Sequence, residues 1–262
     1  MAEKIGFVEG KAGRLRVSDG GAGEPAVLFL HGLGHDLDAW REQLDRLRPY
    51  RRAVAYDQRG HGGSDRPRDG VYTVEALAAD LEAVAGALGL MRFVLVGHSL
   101  SGTVLTAYAG AHPDRVAGLV YVDAVGDFHA VPRRALEQAL RAESSPTFGA
   151  AEVRAAFAGM LGPAAKPATR EQVLAAVGRM EPRAHAALRR SGFYFEIGDR
   201  LSAYRGPILA IEAEGAPNPI RASAVIAGAK RVGLAGVSHW LQLDDPAAFG
   251  RALDPFLGLP AR

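Results

Sequence analysis

The sequence predicts an α/β fold: a mainly parallel central sheet flanked by helices, with a helical insertion in its second half. Three observations carry that expectation. Short, almost wholly apolar runs alternate with longer stretches of helical periodicity, the pattern of strands buried on both faces by crossover helices. The alternation fails once, between about Gly126 and Phe195, where every periodic stretch is helical. Finally, 262 residues that are 48% hydrophobic suffice for one sizeable core plus an insertion, which excludes a wholly disordered chain.

Ile5 to Val8 and Leu15 to Ser18 flank Gly10-Lys11-Ala12-Gly13 and read as an opening hairpin. The buried strands follow as Val27 to Leu30, Ala53 to Tyr56, Phe93 to Val96, Leu119 to Val122 and Ile208 to Ile211, with a weaker one at Lys230 to Leu234. Thr73 to Leu88 opens on a cap-like Thr and repeats Leu77, Leu81, Val84 and Leu88 at helical spacing before Gly89 stops it. Leu100 to Ala111 must end at His112-Pro113. The insertion predicts helices at Val131 to Arg141, Ala151 to Leu161, Thr169 to Arg179 and Arg183 to Arg190, punctuated by Pro146, Pro163, Pro167 and Pro182. The core is therefore expected at residues 1–125 and 196–262, with a lid at 126–195 after the sixth strand, and a closing helix from Pro246 to Leu257.

Composition narrows the chemistry. The absence of Cys removes disulfides, thiolate metal sites and a Cys nucleophile. A net charge of +2, from 31 scattered basic and 29 acidic residues, gives no nucleic-acid face. No apolar run approaches the ~18 residues of a membrane span, and Met1-Ala2-Glu3-Lys4 lacks the start of a secretion signal, so a cytoplasmic location is expected. Gly20-Gly21-Ala22-Gly23 lacks the Lys-Ser/Thr of a phosphate loop, and no ligand spacing suggests a metal, so no cofactor is expected.

The sharpest chemical feature is Phe93-Val94-Leu95-Val96-Gly97-His98-Ser99-Leu100-Ser101-Gly102, a strand running directly into a helix. So sharp a turn needs small residues two before and two after its centre, and it exposes Ser99 at the carboxyl edge of the sheet beside a helix N-terminus. The backbone N–H of Leu100, just after the nucleophile, would be one donor to a developing oxyanion.

These residues resemble a serine hydrolase of the α/β-hydrolase fold. The likeness extends to His31-Gly32-Leu33-Gly34 after a strand, to Tyr56-Asp57-Gln58-Arg59-Gly60-His61-Gly62-Gly63-Ser64, and to Val237-Ser238-His239-Trp240. One departure is Ser101 where the family usually has Gly, which would narrow the floor beside the nucleophile. The resemblance implies Leu33 N–H as the second oxyanion donor and His239 as the base, with His31 bracing its loop. It also implies a structural role for Asp57 and Arg59. The usual acid position, after the Ile208 to Ile211 strand, falls on Ala216. A relocated acid known in this fold matches Asp123, and Glu214 and Glu212 are the alternatives. Among aromatics, Phe128, Phe193, Tyr194, Phe195 and Trp240 read as lid or core packing, some of them lining an acyl pocket.

The resemblance thus implies a cofactor-free hydrolase of carboxylic esters or related small acyl substrates, acting through an acyl-enzyme. Carbon–carbon bond hydrolases, lactonases, perhydrolases, aminopeptidases and non-catalytic ligand-binding relatives share the constellation. Dehalogenases and epoxide hydrolases need a carboxylate at position 99 and are disfavoured. The lid carries no motif that decodes the substrate, and oligomeric state leaves no signature.

Overall fold

The apolar runs form strands of one eight-stranded sheet in a computed structural model that describes residues 3–143, 145, 147–215 and 219–260. The strands are β1 (Lys4–Glu9), β2 (Arg14–Gly20), β3 (Ala26–Leu30), β4 (Ala53–Tyr56), β5 (Phe93–His98), β6 (Val116–Val122), β7 (Ile208–Ala213) and β8 (Lys230–Leu234). Their order is β1-β2-β4-β3-β5-β6-β7-β8; β1, β2 and β4 pair antiparallel and all later neighbours pair parallel. Every residue of β3, β4 and β5 is buried, as the unbroken apolar runs require.

Helices cover both faces. On one side lie α2 (Val74–Ala87) and α3 (Ser101–Ala111), packing Leu77, Leu81, Val84 and Leu105 onto the sheet. The Thr73 hydroxyl caps α2 by accepting from Ala76 N at 3.2 Å. On the other side lie α1 (Arg41–Leu47) and the closing helices, α9 (Leu241–Asp244) and α10 (Pro246–Leu253). Sequence reading missed α1 and the 3-10 turn before it (Leu37–Trp40). The signal was there in Leu37, Trp40, Leu44 and Leu47, all buried at helical spacing, but two turns fall below the length at which periodicity speaks. The closing helix ends at Leu253, not Leu257, because Pro255 has no N–H to continue the hydrogen-bond ladder, although Asp254 itself keeps helical dihedrals (φ −54°, ψ −46°).

Between β6 and β7 stand α4 (Arg133–Glu143), α5 (Ala150–Leu161), α6 (Pro167–Val177) and α7 (Pro182–Phe193); the short α8 (Ala222–Val225) follows β7. α4 begins two residues later than expected, after Pro132, whose carbonyl accepts from Ala135 N at 2.8 Å. Pro146 lies outside the described residues. α5 and α6 enclose Val153, Phe157, Leu161, Val173 and Val177, and Trp240 of the core completes that cluster. Polar ties fix these helices to the core: Arg179 to Asp36, Gln172 Nε2 to Asp38 O at 3.2 Å, and Lys166 N to Asp244 Oδ1 at 2.9 Å. Among the described residues no helix is long and apolar enough to cross a membrane.

The register aligns the strand exits. Leu30, Gly97, Tyr121 and Ala210 stand side by side across β3, β5, β6 and β7. Two residues further along these strands come Gly32, Ser99, Asp123 and Glu212, at the carboxyl edge where open α/β sheets gather ligands.

Candidate active site

Among the described non-glycine residues only Ser99 and Asp123 have positive φ, +56° and +40°. Such backbone costs about 1–3 kcal/mol and persists only where the surroundings over-determine it. Here they do. Ser99 N donates to Val122 O, Val125 N donates to Ser99 O, both at 3.1 Å, and Asp123 N donates to Ile211 O at 2.8 Å. The tight turn also needs Gly97, since a Cβ there would sit 2.5 Å from Leu105 Cδ1.

His239 reaches this edge from the loop after β8. Ser238 fixes the loop by donating to Asp244 Oδ2 through both N (2.7 Å) and Oγ (2.5 Å). The imidazole lies between the two positive-φ residues, with Nε2 2.9 Å from Ser99 Oγ and Nδ1 2.7 Å from Asp123 Oδ2. The carboxylate can only accept, so Nδ1 carries the hydrogen and Nε2 is free to accept from the serine hydroxyl. Behind the ring, His98 Nε2 donates to His239 O at 2.9 Å. Burial holds the His98 imidazole well below its ordinary pKa and therefore neutral.

Glu212 and Glu214 do not meet the imidazole. Glu212 is 1% exposed and accepts from Arg231 Nε at 2.8 Å and Ser223 N at 3.4 Å. Glu214 is exposed beside β8, and Ala216 lies outside the described residues. Sequence reasoning missed Arg221, which spans the two strand exits. It lies 3.2 Å from Asp123 Oδ1 and 3.9 Å from Glu212, and donates to Ala213 O at 2.8 Å.

The loop after β3 is held rigid by its polar groups. His31 Nδ1 donates to Gly32 O (2.8 Å) while Nε2 accepts from Gln58 N (3.0 Å). Gly34 N donates to His61 Nε2 (3.2 Å). Burial pushes these two imidazoles down to about 4 and about 3, so both are neutral at pH 7. Ser101 does not narrow the floor as expected: it is absent from the lining of the cavity at Ser99, and its hydroxyl donates to His31 O at 2.5 Å, beside Gln58 Nε2 at 2.7 Å from the same oxygen. Gly32 lets the loop approach the elbow, because a Cβ would lie 2.7 Å from His98 Nδ1. The backbone N–H groups of Leu33 and Leu100 have no acceptor among the described residues. Asp57 accepts from Leu37 N (2.6 Å) and Gly63 N (2.7 Å), and Arg59 grips Asp80 with two bonds of 2.6 and 2.9 Å, so both brace loops.

A cavity of about 310 Å³ opens over Ser99 and His239. Phe128, Phe157, Met160, Phe193 and Trp240 supply much of its apolar wall, and His185, Arg189 and Arg221 are polar members of it. Tyr194 and Phe195 are not in the lining; Phe195 packs into the core instead.

Residues 25–161 match the sequence profile of the alpha/beta hydrolase fold family. The chain is 39% identical over 123 residues to epoxide hydrolase 3 of Xenopus tropicalis, a match covering 45% of this chain and 34% of that one. It is 41% identical over 111 residues to 2-hydroxy-6-oxo-2,4-heptadienoate hydrolase of Pseudomonas putida, covering 41% and 40%. These alignments span less than half the length of either relative. A solved hydrolase from Pseudomonas aeruginosa superposes over 98% of this chain and 100% of its own, with a TM-score of 0.83 at 28% identity.

Proposed function

This chain belongs to the alpha/beta hydrolase fold family, and from that premise we propose that it is a serine hydrolase of carboxylic esters or related acyl compounds. The observation that carries the reading is the continuous chain Asp123–His239–Ser99, with links of 2.7 and 2.9 Å. Ser99 Oγ attacks the substrate carbonyl as His239 Nε2 takes its proton. Asp123 keeps the imidazole in the required tautomer and stabilises its charged form. The N–H groups of Leu33 and Leu100 receive the oxyanion, aided by the N-terminus of α3. His239 returns the proton to the leaving alcohol, and water, activated by the same base, releases the acid. No step calls for a cofactor.

In this reading residues 126–195 act as the lid that selects substrate, and 1–125 with 196–262 as the core that performs the chemistry. The cavity wall supports an apolar acyl group. The likeness to an epoxide hydrolase is not carried over to the reaction, because position 99 holds a hydroxyl where that chemistry takes a carboxylate.

A fluorophosphonate probe and p-nitrophenyl esters of increasing chain length test the reading together. Wild type should be labelled at Ser99 and hydrolyse some of the esters, while Ser99→Ala should do neither. Labelling without hydrolysis of any ester transfers the reading to carbon–carbon bond cleavage; no labelling ends it.

A further inference from the structure

The inference rests on the serine-hydrolase reading and concerns its substrate. The guanidinium groups of the cavity wall are ion-paired, Arg189 with Glu143 at 2.8 Å and Arg221 with Asp123, itself in the wall, at 3.2 Å. His185, on α7, differs. Its ring lines the cavity, is 1% exposed, stacks on Phe148 and meets Phe157 edge-on, with both centroids 5.9 Å away. Neither ring nitrogen hydrogen-bonds to a described residue, and Nδ1 is wholly shut off from solvent.

Burial, reinforced by Arg189, pushes this imidazole down to about 4. At neutral pH it therefore offers one N–H donor and one lone pair, without charge. A buried polar group without a partner is costly, and a phenyl ring would fill the space between Phe148 and Phe157 free of that cost. What an imidazole adds there is a hydrogen bond to the cavity's occupant.

We propose that His185 is a specificity-determining residue that hydrogen-bonds a neutral oxygen function, a keto or hydroxyl group, borne on the acyl chain of the substrate. The aromatic wall receives the chain's carbon skeleton, and the imidazole rejects chains that leave it unpaired. An acyl chain ending in a carboxylate would instead need a free cation, which the committed guanidinium groups do not supply.

The test uses p-nitrophenyl hexanoate, heptanoate and octanoate beside their oxo and hydroxy derivatives oxygenated at the penultimate carbon. At one or more lengths wild type should favour the oxygenated ester by about 10-fold or more in kcat/KM. His185→Phe, which preserves the stack, should erase that preference while still hydrolysing the plain ester, and His185→Gln should keep part of it. Equal rates at every length, a preference that survives His185→Phe, or a larger preference for the half-ester of hexanedioic acid would overturn the proposal. The same ratio read as Kd on Ser99→Ala, by tryptophan fluorescence, needs no turnover. A preference there without hydrolysis of these esters by wild type upholds the recognition and removes the ester-hydrolase reading. Its absence, with plain esters hydrolysed, removes the recognition alone.

Discussion

The exits of β6 and β7 lie side by side, each carries a buried carboxylate in the same register row, and the two carboxylates have different fates. Asp123 turns out of the sheet at φ +40° and faces His239, whereas Glu212 stays within β7 and is taken by Arg231 of the edge strand. Arg221 touches both. Proximity to a strand end therefore does not make a carboxylate a partner for an imidazole. A departure of the backbone from the pleat does, and that departure is fixed by hydrogen bonds from Asp123 N to β7 and to Asp123 Oδ1 from Ala213 N.

The sharpest way to break this contrast is to neutralise each carboxylate in turn. Asp123→Asn should lower kcat about 10⁴-fold, because the amide favours the wrong imidazole tautomer. Glu212→Gln should leave kcat within a few-fold and lower Tm instead, since Arg231 loses its buried partner. Steady-state kinetics with thermal unfolding reads both, and a rate collapse in Glu212→Gln would reverse the assignment. In the loop after β3, Leu33→Pro deletes the proposed oxyanion N–H and should cost about 10²–10³ in kcat, with circular dichroism unchanged if the loop is intact.

Arg221→Met should lower kcat about 10-fold with little change in KM, because Asp123 Oδ1 loses a charge-assisted partner but keeps Ala213 N. Arg221→Lys should fall between the two. An effect on stability rather than on rate separates the neutral histidines of the β3 and β4 exits from His239. His31 and His61 take up protons near the ordinary 6.5 when unfolded but only at about 4 and about 3 when folded. Above that ordinary value both are neutral in either state and contribute no slope. Below it the unfolded chain binds the extra protons, so stability falls with pH by about 1.4 kcal/mol per unit for each histidine until the folded values are reached. Urea titrations across that window read the slope, which His61→Gln should reduce; a flat profile would show that these rings are solvated.

Much of the fold was legible because its signals are local. Apolar runs marked β3 to β7, the Gly10–Gly13 turn marked the β1–β2 hairpin, β8 gave a weaker signal, and periodicity marked the four helices between β6 and β7. What stayed illegible depends on partners distant in sequence. Arg221 meets Asp123 across 98 positions, and nothing in Ile220-Arg221-Ala222 announces it. Ser101 was legible as a small residue, but its hydroxyl is directed by His31 O, 70 residues away. Asp123 is singled out in the sequence only through a resemblance; the left-handed backbone that turns it toward His239 beside β7 is written in no local motif.

The bonds joining Ser99 to Val122 and Val125 have a mechanical consequence. The proposed nucleophile and its proposed carboxylate are carried by segments laced together at main-chain level, so their relative placement is fixed by the backbone itself. The third member of the proposed triad, His239, is held instead by two clasps on its loop, Asp244 and His98, and under that proposal loosening either would cost turnover.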